Sequence, residues 1–300
     1  MSVSIRQIHP TLAFAGEVSG VDLRAPLLRE DVAAIEAGMD RYAVLVFHDQ
    51  PLTDEQQLDF SRNLGAIERA TGGNITKLED RRLSVQMADV SNLDKDHKPL
   101  PRDARQRLFN IGNRLWHSDS SFRAVPAKYS ILSGRIVAEK GGHTEFADMR
   151  AAYDALDDDT KAEIEDLITE HSLLYSRGSL GFTTYTDEEM ATFRPVRQRL
   201  VRVHPVSKRK SLYLSSHIGA IVGWPVPEGR AFIRDLSEHA TQRQFVYSHK
   251  WRTNDLVIWD NRQTMHRVTR FDDTRVRDMR RTTIAGDGPT AEQVSEPAAA

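Results

Sequence analysis

The sequence contains no cysteine, and this absence excludes several kinds of chemistry. Disulfide bonds, thiolate metal ligands and cysteine nucleophiles are all ruled out, so a bound metal ion would need His, Asp or Glu as ligands. A chain without cysteine also agrees with a reducing compartment. We therefore expect a cytoplasmic protein.

Long apolar runs and a strong net charge are missing as well. No segment reaches the roughly 18 consecutive apolar residues of a membrane-spanning helix, and the first residues lack the basic start and apolar run of a signal peptide. The 41 Lys and Arg residues nearly balance the 43 Asp and Glu residues, so no overall field favours nucleic acid or an anionic membrane. We expect a small anionic molecule as partner, and neither nucleic acid nor membrane.

The composition is that of a globular protein with a substantial core. Hydrophobic residues make up 39% of the 300 positions and charged residues 28%, and we predict a single domain over 1–300. Near the start, apolar spacing predicts a helix around Asp31–Met39, followed by the strand Ala43–Phe47. A second helix should begin after Thr53, because Gln56 completes a capping box with it.

Strand-like segments dominate after the first third of the chain. They are rich in β-branched and aromatic residues between turn signals and read KYSILSGRIVAE, RLVRVHPV, SLYLSS, FVYSHKW, DLVIWD and TMHRVTRF. Two helical insertions interrupt them, one running on from an Asp148 cap through AEIEDLI and one over 227–240. The pattern predicts a mainly β fold with flanking helices, a β-sandwich or jelly roll. The polar stretch 70–110 is a predicted active-site lid, and 286–300 a predicted disordered tail.

Two side chains in the run LWHSDSSF have the spacing of a metal-binding pair. His117 and Asp119 are two residues apart, so on an extended segment both point to the same face. An imidazole and a carboxylate that leave further coordination positions of the metal open suit non-haem Fe(II). The facial triad that binds this ion needs one more histidine. His266 is the best candidate, because it lies in a strand-like run shortly before the arginine-rich cluster RVRDMRR.

This combination resembles the family of taurine dioxygenase and 2,4-dichlorophenoxyacetate dioxygenase. The family pattern is HxD, a threonine, a distant histidine and an arginine beyond it, which the chain meets with His117, Asp119, Thr144, His266 and Arg277. The resemblance extends over 16–284. It is closest to the 2,4-dichlorophenoxyacetate members in LWHSDSSF, TEFADMRAAYDAL, EHATQRQFVYSHKW and LVIWDNR. It implies a double-stranded β-helix, the cupin-like jelly roll.

The resemblance also implies the cofactor and cosubstrates. These are Fe(II) on the triad, 2-oxoglutarate chelating the iron, and O2. Thr144 and Arg277 are implied to hold the distal carboxylate of 2-oxoglutarate, and a hydroxyl with a guanidinium offers suitable donors. Trp259 is expected to pack beside the cosubstrate.

The substrate residues are implied by the same match. Arg281 corresponds to the position that binds the substrate's anionic group, and Asn113 and His217 match positions near the substrate. The expected reaction is oxidative cleavage of an aryloxyacetate ether to a phenol and glyoxylate, with succinate and CO2 formed, as in herbicide catabolism.

Other functions remain open at this stage. An alkylsulfonate or sulfate-ester dioxygenase would use the same iron site, since an arginine suits sulfonate and carboxylate alike. A jelly-roll protein that binds a metal or ligand without turnover is the non-enzyme alternative, and a zinc hydrolase is another reading of two His and one carboxylate. Homo-oligomers are common, and the resemblance implies one here.

Overall fold

The computed structural model describes residues 3–70 and 75–294 of the chain. Its strands are β1 (Ser4–Gln7), β2 (Gly16–Ser19), β3 (Val44–Phe47), β4 (Ala88–Asp89), β5 (Tyr129–Ile136), β6 (Thr144–Asp148), β7 (Ile168–His171), β8 (Val196–Arg199), β9 (Val201–Val203), β10 (Lys210–Leu212), β11 (Ile218–Ile221), β12 (Val246–His249), β13 (Leu256–Asp260), β14 (Thr264–Val268) and β15 (Asp278–Thr283). Its α-helices are α1 (Arg29–Tyr42), α2 (Asp54–Arg62), α3 (Arg105–Asn110), α4 (Met149–Asp154), α5 (Asp158–Ile164), α6 (Leu173–Gly178), α7 (Asp187–Thr192) and α8 (Val226–Ala240). Short 3-10 helices span Leu78–Asp80, Ile111–Arg114 and Arg243–Phe245.

The largest sheet has seven strands in the order β1-β2-β3-β13-β5-β15-β4. Its neighbours pair antiparallel except for β2 and β3, which run parallel. Strand β13 shows the period-2 alternation of a strand buried on both faces. Leu256 and Ile258 join the cluster with α1 and α2, while Val257 and Trp259 join the cluster on the opposite face.

A second sheet, β12-β6-β14, covers that opposite face. Phe146 on β6 packs against Trp259, with ring centroids 5.4 Å apart, so the two sheets enclose a shared core. On the outer side of this second sheet, α4 and α8 pack around Met149, Ile233 and Met265. Two sheets face to face with helices outside them form the jelly-roll core, and the predicted fold class is confirmed.

The N-terminal helices follow the local sequence signals. Helix α1 covers the predicted segment and buries Ile35 and Met39, and α2 begins after Thr53 with the predicted capping box. The prediction of one helical insertion after Asp148 is wrong in one respect. Asp148 does cap a helix, but Asp157 accepts a hydrogen bond from Thr160 and caps a second one, so the insertion is divided into α4 and α5.

Two predicted irregular stretches contain more order than the sequence suggested. In the predicted lid, β4 pairs with β15 and α3 forms, although residues 71–74 lie outside the described part of the chain. The disordered tail over 286–300 stays a prediction; within the described part of it, Gln293 exchanges two hydrogen bonds with the backbone of Arg197 on the edge strand β8. Residues 295–300 lie outside the described residues. None of the described helices is long and apolar enough to span a bilayer.

Candidate metal centre and active site

The three predicted metal ligands converge in the folded chain. Backbone hydrogen bonds of 3.0 and 2.8 Å join His117 to His266, which brings the segment with His117 and Asp119 alongside β14. The Nε2 atoms of His117 and His266 lie 3.8 and 3.6 Å from the Asp119 carboxylate oxygens, and one ligand atom from each residue falls within 4.8 Å of the others. All three side chains are buried. This is the spacing of groups that share one cation.

Neighbouring groups favour the orientation and the protonation state in which these side chains can bind a metal ion. The His117 Nδ1 lies 2.8 Å from the Leu115 carbonyl oxygen, so it donates its proton there and leaves Nε2 as a free lone pair. The Ser130 hydroxyl donates to Asp119 at 2.8 Å. Burial lowers the pKa of both histidines, which favours the neutral imidazole that a metal needs.

The charge on Asp119 is stabilised despite its burial. Burial alone would raise the pKa of this carboxyl, but Arg281 and the two histidines together hold it well below its usual range. Two neutral imidazoles and one carboxylate, with no thiolate, are the donor set that suits Fe(II). The residues present therefore fit the predicted metal.

Arg277 and Thr144 line a cavity that opens onto the two histidines. The guanidinium is 4% exposed, donates to the Val90 carbonyl at 3.1 Å and lies over the Phe271 ring. No carboxylate of the described residues pairs with it, and burial lowers its pKa to about 10. A buried cation without a protein counterion is costly, so this wall of the cavity suits a bound anion.

Trp259 and Arg281 complete the surroundings of the triad. The Trp259 ring lies 4.6 Å from the His266 ring and lines the cavity that contains Arg277. Arg281 donates to Asp119 at 2.5 Å, whereas its Nε has no acceptor among the described residues. The Arg281 side chain lines this first cavity and also a second cavity, which borders His117 and Asp119.

Comparison with known proteins identifies the family. The family model described as "Taurine catabolism dioxygenase TauD, TfdA family" matches residues 4–283. This chain belongs to the TauD/TfdA family. The dioxygenase is 46% identical over 289 residues to the alpha-ketoglutarate-dependent 2,4-dichlorophenoxyacetate dioxygenase of Cupriavidus pinatubonensis strain JMP 134, covering 96% of this chain and 99% of that relative. It is 36% identical to the (S)-phenoxypropionate/alpha-ketoglutarate dioxygenase of Delftia acidovorans, covering 93% and 95% of the two chains.

A solved structure supports the same family assignment. The crystal structure of AAD-2 in complex with Mn(II) and N-oxalylglycine superposes with a TM-score of 0.94 at 64% identity, covering 97% of this chain and all of that one. N-oxalylglycine is an analogue of 2-oxoglutarate. The family, the relatives and the His-Asp-His cluster agree, and the chain is an Fe(II)- and 2-oxoglutarate-dependent dioxygenase.

The remaining predicted residues of the dioxygenase lie around the second cavity. Asn113 lines both cavities, and its Oδ1 accepts a hydrogen bond of 3.4 Å from Arg177. His217 lines only the second cavity, where its ring lies 5.8 Å from the His117 ring. The Nδ1 atom of His217 is 2.9 Å from the Ser176 hydroxyl. Every predicted site residue of the dioxygenase is thus at one of the two cavities or in the triad.

Sequence reasoning missed two residues of this site. Trp251, to which the sequence alone gives no role in chemistry, donates from its Nε1 to the Thr144 hydroxyl at 2.9 Å. Arg177 on α6 was not singled out, yet it is 5% exposed in the second cavity of the dioxygenase, and burial lowers its pKa to about 10. No local pattern marks either residue, because their partners are 107 and 64 positions away in the chain.

Proposed function

We propose that this dioxygenase cleaves the ether bond of an aryloxyacetate. The principal support is the near full-length similarity to enzymes named for 2,4-dichlorophenoxyacetate and (S)-phenoxypropionate. Two cavities that border one predicted metal centre support it further, because a diacid and a second anion both need cationic contacts. Iron, when bound, supplies the activation of O2 and the oxidation of a carbon–hydrogen bond.

The proposed iron ligands are His117, Asp119 and His266. Thr144 and Arg277 are proposed to hold the distal carboxylate of 2-oxoglutarate, and Trp259 to close the cavity beside it. The buried Arg277 charge without a counterion supports this assignment, since a bound carboxylate would supply the missing anion. These residues orient the cosubstrate and exclude water from the reacting groups.

The proposed substrate residues are Arg281, Asn113 and His217. Arg281 keeps part of its guanidinium free while it contacts Asp119, so it could reach a substrate anion close to the metal centre. An anion bound at Arg281 would bring the substrate carbon that is bonded to the ether oxygen close to the iron. A small displacement of that carbon would slow the reaction strongly.

The proposed reaction consumes one O2 for each aryloxyacetate and 2-oxoglutarate. One oxygen atom is incorporated into succinate as 2-oxoglutarate loses CO2. The other oxygen atom is inserted into a C–H bond of the substrate carbon that is bonded to the ether oxygen, which converts this bond to C–OH. The resulting hemiacetal breaks its bond to the aryl oxygen, which takes a proton and leaves as the phenol. The remaining fragment is glyoxylate.

An alkylsulfonate or sulfate-ester substrate is the second candidate. A relative from Pseudomonas putida at 29% identity is named an alpha-ketoglutarate-dependent sulfate ester dioxygenase. An arginine can bind either type of anion, so only the product distinguishes them.

The decisive experiment adds Fe(II) and then 2-oxoglutarate to the apoprotein without oxygen. We expect a weak visible charge-transfer band, and on adding O2 with a panel of acids we expect phenol and succinate from aryloxyacetates. His117→Ala is the negative control and should form neither product. Absence of the band and of succinate would reject the iron site, whereas succinate with a sulfonate and no phenol would reject the substrate.

We further propose that the chain forms one dioxygenase domain and that the 70–110 stretch covers the active site. Several of its residues line the first cavity, among them Asn92, Leu100 and Arg107. A homo-oligomeric assembly and a cytoplasmic location stay predictions.

A further inference from the structure

The second cavity contains a buried arginine whose charge no described carboxylate neutralises. Arg177 donates to the Ser176 hydroxyl at 3.1 Å and to Asn113 at 3.4 Å, and its Nε is buried without an acceptor. A guanidinium offers five N–H donors, and one at each Nη atom is used in these two bonds, so one at each Nη atom is left for a ligand while Nε is buried. Among the described residues, Arg277 is also a buried arginine without a counterion, and it lies at the predicted cosubstrate site.

Local packing keeps this guanidinium in place. It lies 4.7 Å over the Phe109 ring, and a side chain at Gly112 would meet its central carbon at only 2.4 Å. The absence of a Cβ at Gly112 therefore makes room for Arg177. A side chain fixed between a ring and a glycine loses little entropy when it binds an anion.

Arg177 also connects the two substrate residues that were predicted independently of it. Asn113 accepts one of its hydrogen bonds, and Ser176, which accepts another, contacts His217. The cavity is lined mainly by polar and charged residues, and its apolar wall is formed by Phe109, Phe122 and Leu173. A wall of this kind next to a cation suits a ligand with an aromatic ring and one negative group.

We propose that Arg177 is a second anchor for the substrate carboxylate, which it holds from the wall of the second cavity, a cavity that Arg281 also lines. Arg281 already shares its charge with Asp119, whereas Arg177 pairs with no carboxylate in the part of the chain that the structure describes. The proposal rests on the proposed function and adds a residue that determines the preference for an acid.

The test measures equilibrium binding by calorimetry to the Fe(II)- and 2-oxoglutarate-loaded protein without oxygen. The probes are phenoxyacetate and its neutral analogue phenoxyacetamide. We expect Arg177→Met to raise the Kd for phenoxyacetate about 10- to 100-fold, because this is the change in affinity that the loss of one charge-assisted hydrogen bond produces. The Kd for phenoxyacetamide should change about 3-fold at most. Arg177→Lys should keep part of the affinity for the acid. The titration with 2-oxoglutarate should be unchanged.

Arg123→Met is the matched control. Arg123 lines the same cavity but already pairs with Glu68 at 3.2 Å, so its loss should leave the preference for acid over amide intact. If Arg177→Met has no cooperative melting transition, Gly112→Ala replaces it, because the added methyl displaces the guanidinium and keeps the charge of the chain. An unchanged preference in either folded variant would overturn the proposal.

Failure of the proposed function gives a different result. Wild-type protein would then bind no phenoxyacetate and form no phenol, and the same variants would be compared with hexanesulfonate, another anion of the panel. Equal affinity of wild type and variant for that anion would overturn the assignment of Arg177. Selective loss in the Arg177 variants would support it and reject only the aryloxyacetate substrate.

Discussion

Arg281 contacts a proposed iron ligand and also lines the substrate cavity, so its replacement should have two effects. Arg281→Met removes the 2.5 Å contact to Asp119 as well as a cation near the substrate. We expect about a 10-fold rise in the KM for the acid and about a 10-fold loss of Fe(II) affinity. Steady-state kinetics and Fe(II) titration measure the two effects.

Arg280→Met is the comparison for this variant. Arg280 is adjacent on β15 but pairs with Asp54 and Asp278. Its loss should alter neither quantity. An Arg281→Met protein with unchanged Fe(II) affinity would contradict the proposed link to the metal centre.

Trp251 orients the Thr144 hydroxyl, which we propose to bind 2-oxoglutarate. Its indole N–H donates to Thr144 at 2.9 Å, which leaves the threonine proton free to donate to a carboxylate. Trp251→Phe keeps most of the packing and removes this bond. We expect the KM for 2-oxoglutarate to rise about 2- to 10-fold, with binding of the substrate acid unchanged. Trp224→Phe, in the separate cluster with Phe232, should leave both values as they are.

At the scale of elements, α2 supports the largest sheet beneath the site. Gln57 on this helix donates to the backbone carbonyls of Ile131 and Arg280 at 3.2 and 3.0 Å, and so connects the helix to β5 and β15. Since β15 carries Arg281, the position of the helix and the position of a site residue are coupled.

The capping box of α2 gives a prediction for stability. Thr53→Ala removes the hydroxyl that accepts the Gln56 amide hydrogen at 3.2 Å. We expect the free energy of unfolding to fall by about 1 kcal/mol, with kcat/KM unchanged, because neither Thr53 nor Gln56 lines the two cavities. Urea denaturation measures the change. Thr53→Ser keeps the acceptor and should retain most of the stability; equal losses in the two variants would argue against the cap.

For the whole molecule, a buried histidine should make stability depend on pH. His171 contacts Thr169 and Ser121, and burial lowers its pKa to about 3. Below about pH 6.5 the unfolded chain binds a proton at this residue that the folded protein does not, so stability falls as the pH is lowered towards 3. The loss from this group is at most about 1.4 kcal/mol per pH unit.

Unfolding of wild type and His171→Gln at pH 6.5 and 5 measures this contribution. Glutamine cannot take up a proton in this range, so the variant should lose less stability than wild type between the two pH values. Identical pH dependence in both proteins would show that His171 does not contribute.

The sequence by itself determined the features that depend on short spacing. The two-residue spacing in HxD predicted a shared face for His117 and Asp119, the Thr53 signal predicted α2, and the β-branched and aromatic residues of DLVIWD predicted a strand. A strand-like run before an arginine-rich cluster indicated His266 as the third ligand, and the family pattern then supported it and supplied the role of Arg277.

Only the tertiary structure decided which distant groups complete the site. Trp251 looked like an ordinary core aromatic until the pairing of β6 with β12 brought its segment alongside Thr144. Arg177 looked like one of many basic residues until α6 placed it over Phe109 and against Gly112. Such contacts join segments that are far apart in the chain. Whether a side chain is buried, and whether a buried cation has a counterion, depends on these distant segments and not on the neighbouring residues in the sequence.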